Sequence, residues 1–598
     1  MVSLRSNRAS QLIKLLPFLL FTPVSSEAAC PLGTPIFPPP RNLSSDVVKT
    51  ASHNLTQAIE SALITGVSNL SPLPINTTTF AVQVFSAHTQ DSIYEYLYTS
   101  PTYSPAPGHG APNATFDSVY RIASISKMFT VLTLLANDGY AHWASPITQF
   151  IPELESIARS QNSRIQWSEI TIGDLAGQLS GVPHDYGAGD LAGMYGNEEM
   201  QAMGFPALSA KDIPTCSQGE GVNSGNPCDR EAFLRGITSE HPTFAPGTTP
   251  AYSNAAYQLL RYAIENITDE AFPTLVENSI IKPLKLNHTT VSKPTDPSTG
   301  IIPVNETVSL WGFNQGDGDA FGGMYSSAND LSALGRAILQ SLRDDSALNI
   351  SSTITRHWLK PLSHTASLKA SVGAPWEIYR FELPNRGSHG VDVYTKSGDL
   401  GAYADIIAVV PEWDIGFTIT AADLPTDPHQ NVWRLADLIM DRLFPAFDTV
   451  AQQEAEATYA GTYRVSGANS TQESYLTLST EDTKPGLQVT EWMSNGVNFL
   501  KTLETLSGFE DVAVRLYPTG IEERGPANST KLYFRNVFDY SASVQSKGLI
   551  SSSCMSWMNV EAFRIGNVGV DEWVFTVPVD GKAKIAEPRL LRAEFHRS

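Results

Sequence analysis

The chain has 598 residues, too many for one ordinary domain and enough for two with cores of their own. Its 42% hydrophobic and 17% charged residues fit a globular protein rather than a disordered one. A formal charge of −21 excludes the basic surface that nucleic-acid phosphates demand.

Arg5, Arg8 and Lys14 precede an apolar stretch from Leu15 to Val24, followed by small residues around Ser26 to Ala29. That layout predicts a secretory signal peptide over 1–29, cut after Ala28 or Ala29, and an extracellular destination. The apolar run is short for a bilayer span and no later segment is apolar for long enough, so no further anchor is expected. Asn-x-Ser/Thr sequons stand at Asn42, Asn54, Asn69, Asn76, Asn113, Asn266, Asn287, Asn305, Asn349, Asn469 and Asn528, a density suited to a glycosylated surface. Cys30, Cys216, Cys228 and Cys554 form an even set for an oxidising compartment. Cys216 and Cys228 flank a Gly/Ser/Asn-rich loop and are expected to pair locally, which leaves Cys30 and Cys554 to pair by default. No Cys-x-x-Cys or His-Glu-x-x-His spacing occurs, so neither a metal nor another cofactor is expected.

Residues 30–77 read as a Pro/Ser-rich lead-in and a helix from Val47 to Thr65. TTFAVQVFSA and DSIYEYLYT alternate like the two strands of a hairpin. Met128 to Leu135 is apolar nearly all round, which predicts a buried helix. Helical and loop sequence dominates to about Gln340. GVDVYTKSG, AYADIIAVVPE and DIGFTITAA then read as strands, and a helix is expected from Asn431 to Phe447. The expected unit, 78–449, is an antiparallel sheet with strands from both ends of the chain, flanked by helices. A linker is expected over 450–458. Short alternating runs over 459–598 predict an all-β module, a barrel or a sandwich.

Ser124-Ile125-Ser126-Lys127 places a serine and a lysine on one helical face, directly before the apolar helix. A chain this rich in serine holds about one or two Ser-x-x-Lys matches by chance, so the spacing alone decides nothing. A buried lysine, however, loses its preference for the charged form and becomes a base. Downstream stand Phe244-Ala245-Pro246-Gly247, Tyr252-Ser253-Asn254 and Lys396-Ser397-Gly398-Asp399. Glycine lets a strand, expected at an edge, approach a ligand closely, and the amide after it can donate to an oxyanion. Gly-x-Ser-x-Gly is absent. Gly187-x-Gly189-x-x-x-Gly193 has the wrong spacing for a dinucleotide site and reads as loop. His184 reads as a surface-loop histidine.

Ser-x-x-Lys, Tyr-x-Asn and Lys-Ser-Gly in this order resemble the serine β-lactamase and penicillin-binding-protein superfamily, in its class C and esterase-like branch. ITIGDLAGQLSGVP and FGGMYSSANDLSALGRAI resemble further landmarks of that family. The resemblance covers about Thr79 to Phe447. It implies an α+β β-lactamase/transpeptidase-like fold with a helical subdomain, and the β module is similar to a lipocalin-like appendage of some members. It also implies that Ser124 is the nucleophile, Lys127 its base and Tyr252 a proton shuttle. Asn254 would orient substrate, Lys396 would keep the pocket electropositive, and the amides of Ser124 and Asp399 would form the oxyanion hole. Lys-Ser-Gly replaces Lys-Thr-Gly, and Gln-Leu-Ser-Gly replaces His-Thr-Ser-Gly. Asp399 sets an acid where a substrate carboxylate would be disfavoured.

The implied function is a secreted serine hydrolase that forms an acyl-enzyme on an ester or amide of a small molecule or peptide. Acyl transfer or cyclisation by the same site is the alternative, and a non-catalytic binding protein built on the β module is a third. The segment from His184 to Arg230, through Tyr186, Met194, Tyr195 and Phe205, is expected to wall the pocket.

Overall fold

The computed structural model describes residues 30–598 except 162, 221–226, 385, 387–388, 425–427, 466–471, 508–510, 540–547, 551–552 and 580. The expected signal peptide and the Asn469 sequon lie outside the described residues. The chain forms two compact units. One comprises Ser52–Arg380 with Asp392–Asp441; the other comprises the residues up to Ala51, Phe381–Val391 and Arg442–Ser598.

The first unit is built on an antiparallel sheet of eight strands. They are β1 (Thr79–Ser86), β2 (Tyr94–Tyr98), β3 (Ser363–His364), β4 (Ala370–Val372), β5 (Glu377–Glu382), β6 (Gly390–Leu400), β7 (Tyr403–Val410) and β8 (Ile415–Ala422). The order is β2-β1-β8-β7-β6-β5-β4-β3. β1 pairs with β8 from Thr79↔Ala422 to Ser86↔Ile415, so strands from distant parts of the chain meet in one sheet, as expected. β7 and β8 are buried along their whole length, which explains their continuous apolar runs. β6 lies between β7 and β5 and runs on through Leu400; it is an interior strand, not the edge strand expected.

Helix α1 (Asp46–Thr65) precedes the sheet, and α2 (Ser126–Asn137), α3 (Asn254–Thr268) and α4 (Ala328–Ser341) follow between β2 and β3. Every residue of α2 except Asn137 is buried, as the absence of a polar face predicts. α4 packs on the sheet at one close point. Phe85 of β1 fills the space between Gly335 of α4 and Gly416 of β8, where any Cβ would stand 2.3 Å from the ring.

The Val450–Thr458 segment, expected as a linker, is helical: it is the last part of α5 (Pro428–Tyr459). The C-terminal strands are β9 (Gly461–Val465), β10 (Tyr475–Glu481), β11 (Lys484–Ser494), β12 (Val497–Asn498), β13 (Ala513–Arg524), β14 (Thr530–Asp539), β15 (Glu572–Val577), β16 (Ile585–Pro588) and β17 (Phe595–Arg597). Their order is β10-β9-β17-β16-β15-β14-β13-β11-β12, and β10 also pairs with β11 through Leu476↔Trp492. That last ladder closes an eight-stranded barrel, which resolves the choice between barrel and sandwich and leaves only the short β12 as an appendage. Trp492, Trp573, Phe534, Phe575 and Tyr459 form a buried aromatic cluster in this unit.

Both expected disulfides are present, Cys216–Cys228 with Cα atoms 5.1 Å apart and Cys30–Cys554 with Cα atoms 5.4 Å apart. The lead-in joins the barrel unit: Cys30 N–H donates to Asp539, Arg41 N–H to Glu454 at 2.8 Å, and the Arg386 guanidinium lies 5.4 Å over the Phe37 ring. Every sequon asparagine other than Asn469 is exposed. Among the described residues no helix is long and apolar enough to cross a membrane.

Candidate active site

Ser124 lies in a single 3₁₀ turn, Ala123–Ile125, between the short strand Val119–Arg121 and α2. It therefore stands just ahead of α2, as the sequence suggests. Ala123 is held at φ 43°, a left-handed conformation that costs an L-residue about 1–2 kcal/mol. Ser126 Oγ donates to Ala123 O at 2.6 Å and accepts from Met324 N at 3.2 Å, which fixes the turn. Beneath it the buried Arg121 guanidinium donates to the carbonyls of Leu310, Trp311 and Phe313.

Lys127 is fully buried. Its Nζ lies 3.0 Å from Ser124 Oγ, 2.6 Å from Asn254 Oδ1 and 2.8 Å from Phe321 O. Burial holds its pKa well below the ordinary lysine range, and the nearby Lys396 lowers it further, while Asp185, Glu377 and Asp399 push it back up.

Tyr252 and Asn254 arrive on a loop held from two sides. Gln178, at φ 59°, accepts from Ser253 N through Oε1 at 2.7 Å and from Ala251 N through its carbonyl at 2.9 Å. Asn254 N donates to His184 O at 2.8 Å, and Ser253 caps α3 by accepting from Ala256 N. The Tyr252 hydroxyl donates to Ser124 Oγ at 2.5 Å. The Tyr252 ring shows an edge to solvent, while its hydroxyl is sheltered against Ser124; that burial raises the phenol pKa. The Ser124 hydrogen bond opposes the rise, and Glu377, Asp399 and Asp185 add to it. Asn254 Nδ2 donates to Asp185 Oδ1 at 2.9 Å, so both ends of the amide are held. His184, read as a surface histidine, is exposed, yet its ring stands 5.3 Å from that of Tyr252 and it pairs with Asp185.

On β6, Gly398 brings the strand against the start of the Ser124 turn. A Cβ there would lie 2.2 Å from Ile122 O and 2.9 Å from Ser124 N, so only glycine fits. Lys396 is buried with its Nζ 5.5 Å from the Tyr252 ring, and it bonds Glu377 of β5, so its charge is paired. Ser397 donates to Glu377 Oε2 from its amide at 3.0 Å and from its hydroxyl at 2.9 Å. Asp399 is mostly exposed and lies 3.7 Å from His429.

Ser124, Lys127, Tyr252, Asn254, Lys396, Ser397 and Gly398 thus converge. Sequence reasoning missed Asp185 and Glu377, which no motif marks, and met Gln178 only as part of the Gln-Leu-Ser-Gly turn, with no role given to it. The residues expected to wall the pocket are divided between core and surface. Tyr186 is buried against Gly236, whereas Met194, Tyr195 and Phe205 are exposed on a segment carrying the short helices Leu191–Met194 and Asn197–Ala202. Gly187 and Gly189 are turn glycines at φ 72° and 76°. Among the described residues no group of three or more His, Cys, Asp or Glu is placed to hold a metal ion.

Residues 94–440 match the family described as Beta-lactamase, and 451–598 match one described as Beta-lactamase-like-like, C-terminal domain. A beta-lactamase-like protein of Arthroderma benhamiae is 29% identical over 586 residues, covering 94% of this chain and 95% of its own. A probable hydrolase of Phoma sp. is 27% identical, covering 76% and 72%. A D-alanyl-D-alanine-carboxypeptidase/endopeptidase of Escherichia coli is 24% identical, covering 53% and 74%. A solved beta-lactamase/D-alanine carboxypeptidase from Yersinia pestis superposes with a TM-score of 0.46 at 18% identity, covering 67% of this chain and 99% of that one. The match over 94–440 spans more than half of the sequence, and with it the chain belongs to the serine β-lactamase and penicillin-binding-protein family of hydrolases.

Proposed function

We propose that the protein is a secreted serine hydrolase that forms an acyl-enzyme at Ser124 on an ester or amide substrate. The observation that carries this reading is the environment of Ser124 Oγ, which lies 3.0 Å from Lys127 Nζ and 2.5 Å from the Tyr252 hydroxyl. Asn254 Oδ1 and Phe321 O can only accept hydrogen bonds. A neutral Lys127 amine therefore spends its two hydrogens on them and turns its lone pair to the Ser124 hydroxyl. That is the arrangement of a general base.

In the proposed cycle Ser124 Oγ bonds to the substrate carbonyl carbon while its proton passes to Lys127 Nζ. The oxyanion forms against the amides of Ser124 and Asp399. Tyr252, kept protonated by its surroundings, gives its proton to the departing alcohol or amine and regains one from the Lys127 ammonium beside it. Water then attacks the ester through the same groups in reverse. Two disulfides and exposed sequons support an extracellular, glycosylated product.

A fluorophosphonate probe followed by peptide mapping tests the assignment. The adduct is expected on Ser124, and Ser124→Ala should abolish both labelling and the burst with an activated ester. Lys127→Ala should slow acylation by about 10² to 10⁴, the range of general-base catalysis. A burst in folded Ser124→Ala protein refutes the reading. Adding an alcohol or amine acceptor to the burst assay separates hydrolysis from transfer.

A further inference from the structure

Glu377 occupies an anion cradle close to the reaction centre, since the Lys396 ammonium that bonds it also lies 5.5 Å from the Tyr252 ring. Three donors on β6 converge on its carboxylate: the buried Lys396 ammonium, the Ser397 amide at 3.0 Å and the Ser397 hydroxyl at 2.9 Å. An ammonium, a backbone N–H and a hydroxyl gathered on one carboxylate are the donors that would hold an anionic group of a substrate. The strand that supplies them goes on to press Gly398 against the Ser124 amide, so the cradle lies one residue from the nucleophile's turn. Here a side chain of the protein already fills it.

The other charges near Ser124 have the same sign as Glu377. Asp185 bonds Asn254, and Asp399 follows Gly398 with its carboxylate largely exposed. With Lys127 neutral as the base, Lys396 is the one cation among these groups, set against three carboxylates. An incoming carboxylate would meet repulsion and would have to displace Glu377 to find donors.

We propose that Glu377 is a specificity determinant: by filling the Lys396–Ser397 cradle it restricts the site to substrates that carry no carboxylate beside the scissile bond, namely uncharged or cationic esters and amides. This rests on the acyl-enzyme reading above. The test compares kcat/KM for p-nitrophenyl butyrate and for its chain-matched anionic partner, mono-p-nitrophenyl succinate, with Ser124 labelling measured in parallel. The wild-type protein is expected to favour the uncharged ester by roughly tenfold or more beyond the ratio of the two alkaline hydrolysis rates. That preference should shrink as salt rises from 20 mM to 500 mM, because salt screens the repulsion. Glu377→Gln should lower the ratio at least about threefold. Ser124 labelling with equal or preferred turnover of the succinate by wild-type protein overturns this proposal alone. So does a ratio unmoved in folded Glu377→Gln. Failure of Ser124 to label overturns the hydrolase reading and this proposal together. Should Glu377→Gln not fold, the wild-type ratio and its salt dependence still decide.

Discussion

Asp185 reaches Lys127 through a single side chain, with Asn254 Nδ2 on its carboxylate and Asn254 Oδ1 on Lys127 Nζ. Its charge favours protonated Lys127, against the larger effects of burial and Lys396. The proposed mechanism needs Lys127 neutral, so activity climbs as pH rises through the Lys127 pKa. Removing the charge lets that pKa fall further. Asp185→Asn, which keeps a polar partner for Asn254, should move the acid limb of the kcat/KM profile to lower pH. A limb that stays in place, with the protein folded, refutes the electrostatic coupling. Ala123 marks the same centre differently: an alanine at φ 43° directly before Ser124 is tolerated because Ser126 Oγ, itself held by Met324 N–H, bonds the Ala123 carbonyl.

At the scale of elements, the Gly318–Ala320 turn presents Ala320 O to Thr130 and leads to Phe321 O, which takes a bond from Lys127. Asp319 in that turn pairs with Arg261 at 2.9 Å, yet burial, aided by Asp317, pushes its pKa up to about 7. Between its unfolded value of about 4 and about 7, the folded protein holds a proton that the unfolded chain has released. Stability contributed by Asp319 is therefore present at low pH and lost as pH rises through about 7. Asp319→Asn should flatten that decline, and urea unfolding at pH 5 and pH 8 reads it directly. Legibility in the sequence follows the same line between local and long-range order. The hairpin β1–β2, α2 and β6–β8 were readable because each carries a local signal, alternation in the hairpin and unbroken apolar runs in α2, β7 and β8, and Ser124 with Lys127 because three residues is a helical spacing. β3 to β5 were not: they are two to six residues long, half-exposed, and set among Pro, Lys and Ser. Glu377 was lost with them. The roles of Gln178 and Asp185 were invisible for another reason, since their partners Ser253 and Asn254 lie 75 and 69 residues away. His184 was placed correctly on the surface, at the start of a segment expected to border the pocket, but its contact with Tyr252 is one that only the fold creates.

At the scale of the molecule, the chain does not divide as its motifs suggest. Residues before Ala51 cluster with the barrel strands, so the unit holding Ser124 is bracketed in sequence by pieces of the other. Cutting the gene after residue 441 should therefore not give a clean hydrolase. The product would keep Cys30 without Cys554, and Ile36 and Phe37, both buried in the intact chain, without the barrel unit they belong to. It should secrete poorly and expose a reactive thiol, measurable with a maleimide dye; a soluble, thiol-silent and fully active product would refute this. The Cys30–Cys554 bond carries a further consequence for life among proteases. It spans 524 positions, so a single scission anywhere between its ends leaves both fragments in one covalent body. A nicked molecule would migrate whole on a non-reducing gel and fall apart only with thiol present, so the first cut by a protease would leave its two pieces tethered.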